Sequence, residues 1–188
     1  MVEYTGYMLT SYALQFEKRA MLRFVITFFL VLVGLFTLEM LGPVQEHVIT
    51  PFTTILARLS AALILPFDNS VIAYGKILEF KDSGFAVSIE AGCNGVEATI
   101  VLIAAICAYP ASWRARLIAI GLGFFAIQVL NIARIISLFY LGDWNMEYFS
   151  WIHLYLWPAL IMLDVLVVFI VYLRYLSKQV QPAESALE

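Results

Sequence analysis

The sequence predicts an all-α polytopic membrane protein: four transmembrane helices (five if residues 48–65 also cross), an amphipathic helix at the outer face and a short β-hairpin. Three observations predict it. Hydrophobic residues make up 63% of the 188 residues and charged residues only 13%, with a mean hydropathy of +0.90, far above that of soluble domains. Several apolar runs approach or exceed the roughly 20 residues that a helix needs to cross a bilayer. Lys and Arg gather beside the ends of those runs, as they do on the cytoplasmic side of membrane proteins. A formal charge of -3 with no dense basic run argues against a nucleic-acid partner. The length suits one domain, residues 1–188, with a cytoplasmic lead over 1–20 and a polar tail over 177–188.

The elements follow in order. Met21 to Leu41 is the first span; it ends in Leu41-Gly42-Pro43 without a small-x-small cleavage pattern, so it is expected to stay as an anchor. Residues 48–65 are ambiguous. Thr50-Pro51 is a good helix start, with apolar Val48, Phe52, Ile55, Leu56, Leu59 and Leu63 at helical spacing and Thr53, Thr54, Arg58 and Ser60 between them. Two faces of this kind fit a helix lying on the membrane or packed under the bundle. Lys76–Phe80 and Phe85–Glu90 read as short strands around Lys81-Asp82-Ser83-Gly84, which is turn chemistry. Gly92–Tyr109, Leu117–Leu141 and Ile152–Leu173 are the second, third and fourth spans.

Four crossings put Lys18, Arg19 and Arg23, then Arg114 and Arg116, then Arg174 and Lys178 on the cytoplasmic side. Residues 42–91 and 142–151 then face outward, although Arg58, Lys76 and Lys81 lie there too. A fifth crossing moves the N-terminus outside but leaves Cys93 near the outer surface. Trp144, Tyr148, Phe149, Trp151, Tyr155 and Trp157 have the composition of an interfacial aromatic belt.

On this topology Cys93, Arg134 and His153 sit at a similar depth on three different helices. Each has a bland reading. A membrane cysteine is usually a packing residue, as Cys107 is expected to be. His153 alone reads as an anchor, and Arg134 could pair with Glu97. Three features weigh the other way. Cys93 lies in the polar, turn-prone Gly92-Cys93-Asn94-Gly95, where a helix N-terminus favours a thiolate. A charge within a span is costly and defaults to function. Asn131, Arg134 and Ser137, three apart, form a polar stripe. Thiol, imidazole and fixed cation are what cysteine-based acyl transfer needs, as nucleophile, acid/base and oxyanion or thiolate stabiliser. Cys93 and Cys107, if on one helix, are about 21 Å apart and do not pair.

Gly92-Cys93-Asn94-Gly95-Val96-Glu97-Ala98, then Asn131-Ile132-Ala133-Arg134-Ile135, then His153 ahead of Leu156-Trp157-Pro158 resembles the exosortase/archaeosortase family, most nearly its exosortase H branch. The resemblance covers residues 48–160. It implies a membrane-embedded cysteine endopeptidase and transpeptidase in the bacterial inner membrane, with its site facing the periplasm. Its substrates would be exported proteins with a C-terminal sorting signal: a short motif, one transmembrane helix and a basic tail. They would be cut through a Cys thioester and passed to a surface acceptor. It further implies Cys93 as nucleophile, Arg134 as stabiliser and His153 as acid/base. Asn94 and Asn131 match motif positions, and Glu97 stands beside them as a residue near the substrate. No metal or cofactor is implied. A hairpin just before Cys93 could accept an extended substrate as an added strand. The rival readings are a small transporter, kept alive by Asp164 deep in the last span, and a structural subunit without catalysis.

Overall fold

The computed structural model describes residues 2–184, with side chains over residues 17–178. Its elements are α1 (Val2–Glu39), α2 (Gly42–Ile64), a sheet of β1 (Val71–Tyr74), β2 (Ile77–Phe80) and β3 (Ala86–Ser88), α3 (Val96–Ala108), α4 (Trp113–Trp144) and a last helix over residues 146–184, α5. Single π-turns interrupt α2 at Gln45–Ile49 and α5 at Ile152–Leu156. The protein is mostly helical, and four helices are long and apolar enough to cross a membrane: Glu17–Glu39, Gly42–Ile64, Trp113–Trp144 and Met146–Lys178.

That set differs from the expected one at two places. Residues 92–109 were expected as the second span, opening in the turn-prone Gly92–Gly95; α3 starts only at Val96 and has 13 residues, about 20 Å of helix. Gly92 and Gly95 hold φ of +84° and +76°, the left-handed region, and keep the stretch between them out of the helix. Gly42–Ile64 has the length and apolarity to cross, and its contacts tie its start to α1 and its finish to the sheet. At its start Gln45 donates to the Glu39 carbonyl (2.8 Å), on the helix that packs along α3. At its finish Leu56, Ala57, Ala61 and Ile64 pack with Val71, Leu78, Phe80, Ile89 and Phe139, the sheet side of the core.

The two faces that the sequence shows on α2 do not divide simply into apolar inside and polar outside. Thr53 and Ser60 are buried, whereas Val48, Ile55, Leu59 and Leu63 are exposed. In a membrane the apolar medium lies outside, so large aliphatic side chains can face it, while the Thr53 hydroxyl turns inward, donating to the Ile49 carbonyl (2.8 Å) and accepting from Asn94 Nδ2 (3.4 Å).

The expected hairpin is present and carries a third strand. Order is β1-β2-β3, antiparallel throughout. Gly75 (φ +54°) opens the two-residue connection from β1 to β2, as a type II′ turn requires. Three strands this short are marginal alone. The sheet is held by one cluster in which Phe80 stacks on Phe139 of α4 at 4.2 Å between centroids. A second cluster joins α3, α4 and α5 through Leu102, Ile106, Ile127, Ile161 and Val165. Gly123 lets these three helices meet: a Cβ there would stand 2.3 Å from Leu102 Cδ2 and 2.9 Å from Val168 Cγ1.

The expected loop over 142–151 is instead a single break at Asn145 between α4 and α5. Its side chain accepts from the Glu147 and Tyr148 amides (2.8 and 3.2 Å) and so caps the second helix. The expected polar tail continues α5 to Glu184; residues 185–188 lie outside the described residues.

Candidate active site

The site is built on the turn 92–95. Glu97, in the first turn of α3, reaches back and accepts from the Gly92 amide. The Cys93 amide donates to the Glu90 carbonyl (3.0 Å), fixing the turn to the end of the sheet. Asn94 is fully buried; its Oδ1 accepts from the Val96 amide (3.0 Å) and its Nδ2 donates to Thr53 Oγ1 of α2 (3.4 Å). Gly95 has no side chain because there is no room for one: a Cβ would lie 2.8 Å from Gln128 Nε2 of α4.

Arg134 comes to this turn from α4 and is 5% exposed. Its Nη1 donates to the Gly92 carbonyl (3.2 Å) and its Nη2 to Cys93 Sγ (3.5 Å). The bland pairing of Arg134 with Glu97 is not what the side chains do: among the described residues the ion pair within bonding distance is Lys76–Glu90, on the sheet. Ten residues separate Arg134 from the end of α4 at Trp144, so the pair sits about 15 Å below that end. Non-helical backbone at such depth is tolerated where protein covers it.

His153 belongs to the π-turn of α5, and its ring stacks on Phe149 (5.4 Å, 5°). It lines one cavity of about 160 Å³ together with Cys93 and Arg134; residues 87–90, Ile135, Leu138 and Phe149 complete the wall. The three residues thus share a cavity, with direct contact between the thiol and the guanidinium. Asn131 is fully buried one turn below Arg134, and neither atom of its amide has a protein partner. Ser137 leaves the expected stripe: it is exposed and bonds the Arg134 carbonyl of its own helix (2.9 Å).

Cys93 precedes α3 and lies outside the spans. Burial pushes its thiol above the usual range; the Arg134 guanidinium pulls it down, and Glu97 and Glu90 add to the rise. The expected thiolate-favouring helix end is weakened, because α3 begins three residues later at Val96. A thiol held protonated needs a base beside it, and the imidazole in the same cavity has an unpartnered Nδ1.

Two residues here escaped the sequence reading. Gln128 continues the spacing of three below Asn131 and Arg134, which was a legible signal. Phe149 was taken for a belt residue; nothing in the sequence tells a ring that faces His153 from its anchoring neighbours.

Fold and site together define a polytopic membrane protein with a thiol–guanidinium pair in a recessed cavity near one end of its bundle. The family model for transmembrane exosortases matches residues 3–178, and the chain belongs to that family. Membership gives it a sorting-transpeptidase-like role in general terms. No curated protein matches the chain, and no solved structure does.

Proposed function

We propose that this chain is a membrane-embedded cysteine transpeptidase that cuts the C-terminal sorting signal of exported proteins, with Cys93 as nucleophile. The observation that carries the reading is the contact of Arg134 Nη2 with Cys93 Sγ in a cavity that His153 also lines. His153 takes the thiol proton, and the thiolate attacks the scissile carbonyl carbon. Arg134 stabilises the thiolate and then the oxyanion. Collapse breaks the C–N bond, the leaving amine takes the proton back from His153, and a thioester to Cys93 remains. An acceptor nucleophile, deprotonated by His153, attacks that thioester and frees the thiol. Asn94, through Thr53 and Val96, positions the turn; Glu97 does so through Gly92. Asn131 lies below Arg134 and supports its level in the bundle.

The chain would work as one unit over residues 1–188, in the bacterial inner membrane. Arg114 and Arg116 lie at the opposite end of the bundle from Cys93, since Arg116 bonds the Tyr109 carbonyl at the far end of α3 (3.1 Å). The bias of basic residues to the cytoplasm supports a cavity on the periplasmic side. A substrate anchored by its own helix would meet the site without its peptide entering lipid.

The test is co-expression of a sorting-signal protein from the same genome with the wild type and with Cys93→Ser. Processing lost in the mutant, with the enzyme still in the membrane, is the expected result; undiminished processing ends the proposal. An added amine that is captured at the new C-terminus shows transfer, and a free carboxylate shows hydrolysis.

A further inference from the structure

The cavity of about 160 Å³ is smaller than the roughly 300–1,000 Å³ of sites that enclose a small ligand. It can seat little beyond the scissile residue, so most recognition must come from outside it. One wall of the cavity is residues 87–90, the end of β3 and its exit.

The register shows what that strand offers. Phe80 N–H donates to the Phe85 carbonyl, and Ile89 N–H to the Lys76 carbonyl, both at 2.9 Å. The Cα partners between them are Glu79–Ala86, Leu78–Val87 and Ile77–Ser88. Bonded and non-bonded pairs alternate in an antiparallel ladder. Val87 therefore spends its backbone groups on β2, while Ala86 and Ser88 turn theirs the other way. Among the described residues no strand lies on that side, for β3 is the edge of the sheet. Ala86 and Ser88 are exposed. The opposite edge is different, because β1 is packed against α2. The open edge leads directly to the nucleophile, since the Cys93 amide is bonded to the Glu90 carbonyl two residues past Ser88.

We propose that β3 is the docking strand for the substrate: an extended peptide segment of the sorting-signal protein adds to the sheet as a fourth strand at Ala86 and Ser88. Its backbone amides and carbonyls meet those of Ala86 and Ser88, and the chain then enters the cavity at Cys93. Recognition by added strand draws affinity from main-chain bonds and selectivity from pockets for alternate side chains. The small cavity is such a pocket. Polar Ser88 and Glu90 and the short three-residue strand keep the edge from pairing with other sheets. The inference rests on the reading of Cys93 as the catalytic thiol.

The experiment uses the full chain in membranes with a co-expressed sorting-signal protein of the same genome. Ala86→Pro and Ser88→Pro each remove an outward N–H and leave the ladder to β2 intact. Each is expected to lower processing about tenfold. In Ala86→Pro, which lies outside the cavity, labelling of Cys93 by a thiol reagent is expected to keep its wild-type rate, a readout that damage to the fold would move. Processing within twofold of wild type in both proline variants overturns the proposal.

A second arm covers proline variants that fail to fold. A photo-crosslinking residue at position 88, in the Cys93→Ala background, is expected to capture the substrate just outside its membrane helix. The same residue at position 79, in the central strand, is expected not to. No capture at 88, or equal capture at both, overturns the proposal. Failure of the catalytic reading looks different: Cys93→Ala alone then leaves processing intact.

Discussion

Replacing Arg134 with Gln keeps a hydrogen-bond donor on α4 and removes the charge that lies 3.5 Å from Cys93 Sγ. The guanidinium is the influence that lowers the thiol's pKa, against burial and two carboxylates. An opposite charge at this range favours the thiolate, so its loss raises the thiol's pKa further. Below the pKa, each unit cuts the thiolate population about tenfold. The surviving thiolate is more nucleophilic by about threefold per unit, given a Brønsted slope of about 0.4–0.5. The net loss is about three- to fourfold for each unit by which the pKa rises. The assay is thiol–disulfide exchange at pH 7.5 with an aromatic disulfide that releases a coloured thione, in a Cys107→Ala background. In the wild type the rate should keep climbing through pH 9, since burial holds the thiol above its usual range. In Arg134→Gln the whole profile should lie further toward alkaline pH. An unchanged or faster rate in the mutant, with the protein still folded, would refute the electrostatic reasoning.

Three further substitutions test the frame. Gly95→Ala puts a Cβ at φ +76° and against the Gln128 amide; a non-glycine residue there costs about 1–2 kcal/mol, so melting in detergent should fall and Cys93 labelling should change with it. Phe139→Ala removes a fully buried ring that stacks on Phe80; about 3–5 kcal/mol should be lost, read as a lowered melting temperature with the sheet region newly open to protease. Gly123→Val forces methyl groups into Leu102 and Val168, and overpacking of this sort costs about 1–3 kcal/mol; the variant should melt earlier, while Gly121→Val, with open space around it, should not.

Much of the fold was legible because lipid imposes long apolar runs. The first, third and fourth spans could be read for that reason, and the hairpin could be read from Lys81–Gly84. What escaped depends on facts that a pattern does not carry. Periodicity finds two faces on α2 but does not say which medium each face meets; Thr53 and Ser60 are buried beside Leu56, while Ile55, Leu59 and Leu63 are exposed. Residues 92–95 read as turn-prone but were counted within the second span, because the backbone angles of Gly92 and Gly95 that end the helix at Val96 are invisible in composition. Val71–Tyr74 was missed because four residues are too few to show alternation, and its pairing with β2 depends on Gly75. The site was legible as three residues at one depth. Their contacts were not, because the grip of Arg134 on Gly92 and Cys93 depends on where α4 passes the turn.

The central claim is that Cys93 carries the acyl group of the substrate. The most direct measurement is mass spectrometry of the enzyme after rapid quenching in acid during turnover of a sorting-signal protein. The account expects an adduct on the peptide containing Cys93, lost on treatment with hydroxylamine and absent from Arg134→Gln or His153→Ala protein that no longer cuts. Continued cutting with Cys93 unmodified throughout, or an adduct on another residue, would contradict it.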